Sequence, residues 1–147
     1  MALYWEDFPV GFRHETDAWD MTEDEIIAFA RQWDPQPFHI DAEAARDSIY
    51  GGLIASGWHT LISAFHQWYQ SGLWAEASMG SPGMRDVKWV KPVRPGDRLR
   101  CVATVVEAAP SRSRPDRGHI VVRSEIFNQN DEQVAEYSGI NILRRRP

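Results

Sequence analysis

The sequence predicts an α+β protein, an antiparallel sheet packed against one long central helix, in a single domain over residues 1–147. Three observations carry that expectation. Apolar residues recur at helical spacing only between about residues 22 and 71. Beyond Met84 the chain alternates β-branched and polar residues between turn signals, and no linker or internal repeat divides the two regions. A chain of 147 residues, 43% hydrophobic and 25% charged, is long enough to bury a sizeable core and has the composition of a soluble globular protein.

Residues 1–20 are aromatic and acidic, broken by Pro9 and Gly11, and predict a lead-in followed by one strand around Phe12 to Trp19. Thr22 and Glu25 then stand at capping-box spacing, with Met21 and Ile26 placed as a hydrophobic staple. Ile26, Phe29, Ala30 and Trp33 give the helix that follows one apolar face. It must stop at about Trp33. Pro35 and Pro37 lack amide donors and disfavour the α conformation at Asp34 and Gln36, so Trp33 to Asp41 is expected to be rigid and non-helical. Asp41 can cap a short alanine-rich helix reaching about Asp47, which Ile49-Tyr50-Gly51-Gly52 breaks. A second long helix is expected from Gly57 to Ser71, with Ser56 as N-cap and Gly72 as its stop. Trp58, Leu61, Ile62, Phe65, Trp68 and Tyr69 form a stripe so broad, with so few charges, that this helix is expected to be mostly buried.

Strands are expected over Asp86–Val93, Arg98–Ala109, His119–Asn128 and Val134–Leu143. Pro95-Gly96 has type II turn order, Pro110 to Gly118 is a basic loop, and Asn128 to Gln133 is a hairpin connection. Cys101 falls in a strand and reads as core.

Several function classes are disfavoured. The formal net charge of −5 gives nucleic-acid binding no electrostatic footing. Cys101 is the only cysteine, so no intrachain disulfide can form and a reducing compartment is expected. The first residues have neither a basic region nor an apolar run, and no stretch approaches the ~20 apolar residues a membrane-spanning helix needs, so a cytoplasmic location is expected. Seven tryptophans suggest a large aromatic pocket or a buried subunit contact.

Two stretches carry candidate chemistry. Asp34 and His39, five residues apart on the proline-stiffened segment, can each take or give a proton, which suits general acid–base work if a kink brings them together. The competing reading makes Asp34 a turn or helix cap and His39 a surface histidine. In Ala55-Ser56-Gly57-Trp58 the first helical amides lack intrahelical partners, and Gly57 has no side chain to keep a ligand oxygen away. Such a helix end makes an oxyanion hole. Alternatively Gly57 only allows close packing of helix on sheet.

Together, Asp34-x-x-Pro37-x-His39, the alanine-rich helix and a small residue before Gly57 resemble the MaoC-like hydratase and dehydratase family, which includes (R)-specific enoyl-CoA hydratases and has the hotdog fold. The resemblance runs over nearly the whole chain, including Pro95-Gly96-Asp97. It implies that Asp34 and His39 are the catalytic pair that holds and activates water, with Asp34 as base and His39 orienting the water or sharing its proton, and that Gly57, with Ser56 beside it, forms the oxyanion hole and substrate contact. It implies an acyl-CoA thioester substrate, no cofactor beyond the coenzyme A of that substrate, and a homodimer or larger homo-oligomer. Phe38 and Trp58 would line the pocket. Three positions depart from the family's pattern: Gln36 where Asn is usual, Ser56 where His is common, and Phe65 where some hydratases have serine. Two other readings stay open, a hotdog thioesterase using Asp34 to activate water, and a non-catalytic acyl-CoA-binding protein.

Weaker signals remain. Arg112, Arg114 and Arg117, or Lys88 and Lys91, suit the phosphates of coenzyme A, but solvated surface is the favoured reading. His59 and His66 on the long helix read as satisfied core or interface histidines. His39-x-Asp41 is too short a pattern for a metal site, and Ser56 lacks the first glycine of a nucleophile elbow, since Ile54 stands there.

Overall fold

The computed structural model describes residues 2–147. After a 3-10 turn at Trp5–Asp7, strands β1 (Arg13–Glu15) and β2 (Trp19–Asp20) precede helices α1 (Glu23–Trp33), α2 (Pro37–Ile40), α3 (Ala42–Arg46) and α4 (Gly57–Gln70). Strands β3 (Gly83–Trp89), β4 (Arg98–Pro110), β5 (Arg117–Phe127) and β6 (Gln133–Arg144) follow. All pairings are antiparallel, in the order β1-β4-β5-β6-β3, with β2 also on β4.

The local signals explain most boundaries. Thr22 Oγ1 accepts from the Glu25 amide at 3.2 Å, and Met21 and Ile26 are both buried in one cluster, as the staple requires. Asp41 caps α3 by accepting from the Glu43 and Ala44 amides. Gly72, at φ +72°, ends α4 in the left-handed conformation that glycine adopts without strain. Gly96, at φ +88°, fits the type II turn, which the Asp97 amide closes on the Arg94 carbonyl at 3.0 Å.

Three expectations need correction. The first strand is split in two because the Thr16 hydroxyl, rather than a backbone carbonyl, accepts the Cys101 amide. The strand expected from Asp86 to Val93 starts three residues earlier and ends four earlier, at Gly83–Trp89; the Val90 and Lys91 amides both turn to the Val134 carbonyl before Pro92, which has no donor. Finally, α4 is not mostly buried. Leu61, Ala64 and Trp68 face the sheet, whereas Trp58, Ile62, Phe65 and Tyr69 are exposed.

Two core clusters lie along α4. One joins Met21, Ile26, Leu61 and Ala64 to Leu99, Cys101, Ile126 and Ala135; the other joins Phe8, Trp68 and Trp74 to Val105, Ile120 and Leu143. Cys101 is fully buried, and that burial pushes its thiol up to about 12. Near the far end of the sheet, Arg145 and Arg146 are tied to Glu6 and Asp7.

His59 is a buried histidine but not a satisfied one, and His66 is exposed rather than core. The His59 ring stacks on Phe29 at 4.7 Å, and its Nδ1 has no partner among the described residues. Burial lowers its pKa below the ordinary 6.5. Above pH 6.5 neither folded nor unfolded chain protonates it. Below that, the unfolded chain takes the proton first, so this contribution to stability is lost as the pH falls towards the depressed folded pKa. His59→Phe is expected to stabilise by about 1 kcal/mol through removal of the unpaired atom. Thermal melts between pH 5 and 8 should show a higher melting temperature and a shallower loss on acidification. A variant that melts in parallel with the parent at every pH contradicts this.

Candidate active site

The amide of Asp34 still bonds to the Ala30 carbonyl at 2.8 Å, so the residue ends α1; its own dihedrals, φ −154° and ψ 68°, then leave the helix as Pro35 requires. Gln36 is extended, at φ −69° and ψ 142°, ahead of Pro37. The segment is nonetheless not wholly irregular. Pro37 is the first residue of the single turn α2, a position where its missing N–H costs nothing. That turn carries His39 and swings its ring back to Asp34: Nε2 lies 3.3 Å from Asp34 Oδ2. The expected kink is therefore one helical turn.

Each carboxylate oxygen has a donor. Gln36 Nε2–H donates to Oδ1 at 2.7 Å, and the Ser56 hydroxyl donates to Oδ2 at 2.7 Å. Burial tends to raise the Asp34 pKa, but these two hydrogen bonds, with His39 alongside, outweigh it and hold the carboxyl below its ordinary value. Asp34 is a carboxylate at neutral pH. His39 is 4% exposed, and its Nδ1 lies 2.7 Å from the Ile54 carbonyl, which can only accept. The ring proton must then sit on Nδ1, and in the neutral imidazole Nε2 carries a lone pair. Asp34 Oδ2 and His39 Nε2 are thus in direct polar contact at the cleft wall, 3.3 Å apart. A water in the cleft that gives a proton to this pair would present its oxygen lone pairs outward, which is the orientation of an activated nucleophile.

Both groups line a cleft of about 410 Å³, together with Phe38, Tyr50, Gly57, Trp58, Trp89 and Lys91. The size is that of a small-ligand site. Gly57 opens α4, and the first hydrogen bond across that end runs from the Thr60 amide to the Ser56 carbonyl at 3.2 Å. The amides of Gly57, Trp58 and His59 thus precede the ladder and stand at the positive end of the helix dipole.

Of the four residues singled out in the sequence, Asp34, His39 and Gly57 share this cleft. Ser56 needs reassignment. It is fully buried and its hydroxyl is committed to Asp34, so it neither caps α4 through its side chain nor offers a free donor to a substrate. It positions the carboxylate. Gln36 and Trp89 were not singled out as site residues, although Gln36 and Ser56 are two of the positions that depart from the family's pattern; of the two lysines that suit phosphate, Lys91 lines the cleft. The basic loop is excluded within one chain. Arg117 pairs with Arg144 at one end of the β5–β6 ladder while the cleft residue Val134 lies at the other, and 11 strand residues span roughly 35 Å. Arg117 is also paired with Asp116. Lys91, at the cleft, pairs with Glu132. Among the described residues no group of three His, Cys, Asp or Glu could hold a metal ion, and no helix is long and apolar enough to cross a membrane.

Comparisons with known proteins identify the family and the fold. The MaoC-like domain family matches residues 9–125. An uncharacterized Bacillus subtilis protein, YdeM, is 30% identical over 141 residues, covering 96% of this chain and 98% of its own. A crystal structure of a MaoC-like dehydratase from Rhodospirillum rubrum superposes with a TM-score of 0.92 at 41% identity, over 99% of both chains. The unliganded (R)-hydratase PhaJ1 from Pseudomonas aeruginosa does so with a TM-score of 0.73 at 25% identity, over 99% of this chain and 88% of that one. With its long helix held against an antiparallel sheet, the chain belongs to the MaoC-like dehydratase family and has the hotdog fold.

Proposed function

We propose that the protein catalyses reversible addition of water to a trans-2-enoyl-CoA, or a related acyl thioester, giving the 3-hydroxyacyl thioester. The observation that carries this reading is the 3.3 Å approach of Asp34 to His39 at one wall of a cleft whose other wall is the open end of α4. Hydration needs three things at once: a base for the water that attacks the β-carbon, donors for the enolate oxygen formed on the thioester, and a proton for the α-carbon. Asp34 and Nε2 of His39 supply the first, the Gly57 amide the second. The proton taken from water and held between Asp34 and His39 supplies the third. No cofactor is required, because coenzyme A enters and leaves as part of the substrate. Lys91 at the rim suits its phosphates. A cytoplasmic location belongs to the proposal and rests on the single buried Cys101.

The test is a panel of enoyl-CoA thioesters followed by the loss of absorbance of the conjugated thioester, with a thiol reagent in parallel. Hydration removes the absorbance and releases no thiol. Thiol release at the same rate would instead mark a thioesterase, and binding without either change would mark a non-catalytic acyl-CoA-binding protein.

A second copy of the chain is the proposed occupant of the exposed α4 face. Trp58, Ile62, Phe65 and Tyr69 run along that face, beside Met84 and Val90 on and just after β3, the edge strand of the sheet. Ile62 is 52% exposed and Trp58 59%, which is a large apolar patch for a lone chain. Light scattering after size exclusion is expected to give at least twice the chain mass. Ile62→Glu is expected to shift the protein to monomer while leaving the circular dichroism spectrum unchanged. A monomeric parent would sink the assignment.

A further inference from the structure

Trp89 ends β3 opposite Ala135 and reaches across the cleft to the start of α4, where its ring meets the edge of Trp58 at 5.8 Å. Its indole lies directly on Gly57. A Cβ built there would sit 2.2 Å from Trp89 Nε1, the nearest heavy atom, and 2.3 Å from Cε2. Glycine is therefore what lets the indole nitrogen come so close. A backbone nitrogen lies about 2.5 Å from its own Cβ by covalent geometry, so Nε1 and the Gly57 nitrogen are within roughly 5 Å of each other. One oxygen at ordinary hydrogen-bond distance from both fits that separation. Trp5 donates its indole N–H to the His119 carbonyl at 3.0 Å, whereas among the described residues no protein group accepts from that of Trp89.

We propose that the indole N–H of Trp89 is the second donor of the oxyanion hole, binding the thioester oxygen together with the Gly57 amide. This rests on the hydration reading above. It makes Trp89 a catalytic residue, in contact with the oxygen on which negative charge develops, and gives Gly57 two tasks: presenting its own amide and leaving room for a second donor. Charge growing on that oxygen strengthens both hydrogen bonds in the transition state more than in the ground state, so the effect falls on kcat.

Trp89→Phe keeps an aromatic ring at the position and removes the N–H. The expected result is a fall of about 10²-fold in kcat for enoyl-CoA hydration, with KM within about threefold and an unchanged pH profile. A second readout needs no turnover. Butyryl-CoA, a saturated thioester that cannot be hydrated, carries carbon-13 at its carbonyl, and its infrared stretch is recorded bound and free. Binding to the parent is expected to lower the frequency, and binding to Trp89→Phe to lower it less. If Trp89→Phe melts at a lower temperature than the parent, benzothienylalanine at position 89 repeats the test with the indole shape kept and the N–H replaced by sulfur. A parent that hydrates while the position-89 variants match it in kcat and carbonyl frequency overturns this inference and leaves the hydratase reading standing. A parent that hydrates nothing but shows a carbonyl shift reduced in the variants overturns the hydratase reading and supports the donor. A parent showing neither hydration nor a shift overturns both.

Discussion

Asp34→Asn is expected to lower kcat/KM for enoyl-thioester hydration by about 10²- to 10⁴-fold while the protein stays folded. The carboxylate is held anionic by Ser56 and Gln36, and an amide of the same shape cannot take a proton from water. The packing tolerates the change. The Asn carbonyl can still accept from the buried Ser56 hydroxyl, and the exposed Gln36 amide can flip to offer its oxygen to the new N–H, so no buried donor is left unpaired. Thermal melting should therefore move little, and binding of butyryl-CoA should persist. His39→Gln is expected to lose activity over the same range. The measurement is the absorbance assay with melting curves on the same samples. A folded Asp34→Asn protein retaining more than a tenth of parent kcat/KM would remove Asp34 from the chemistry.

Gly57→Ala should be nearly as damaging to activity, by about 10²-fold, for a different reason. The new methyl would stand 2.2 Å from Trp89 Nε1 and 2.8 Å from Cδ1, so the indole must leave. Because Trp89 is half-exposed, it can swing away at little cost to stability. What is lost is the close approach at the start of α4, where the substrate oxygen has to fit. The signature is an intact melting temperature with depressed kcat. A Gly57→Ala variant with parent kinetics would show that nothing binds closely at that helix end.

The outline of the fold was readable because each device is local. Thr22, Asp41, Gly72 and Pro95-Gly96 act within four residues of themselves, and the structure uses all of them as their chemistry dictates. The pairing of Asp34 with His39 was readable for the same reason, since the two prolines leave few ways to connect them. What lay beyond the sequence is non-local. Ser56 looked like an N-cap because serine before a helix usually is one, yet the chain path brings its hydroxyl to a carboxylate 22 residues earlier. The stripe on α4 marked its residues as apolar without dividing those that meet the sheet from those that face outward. Trp89 resting on Gly57 depends on how the edge strand closes against the helix, and no spacing rule reaches from residue 57 to residue 89.

One contact of His39 has a further consequence for proton economy. The Ile54 carbonyl that holds Nδ1–H can never take that proton, and the ring is buried with that bond in place. The imidazole is thus a cul-de-sac rather than a wire. In the proposed hydration, whatever arrives at Nε2 can depart only on the side from which it came, into the cleft, so the proton would go back to the reactants or to Asp34 rather than through the ring to bulk water.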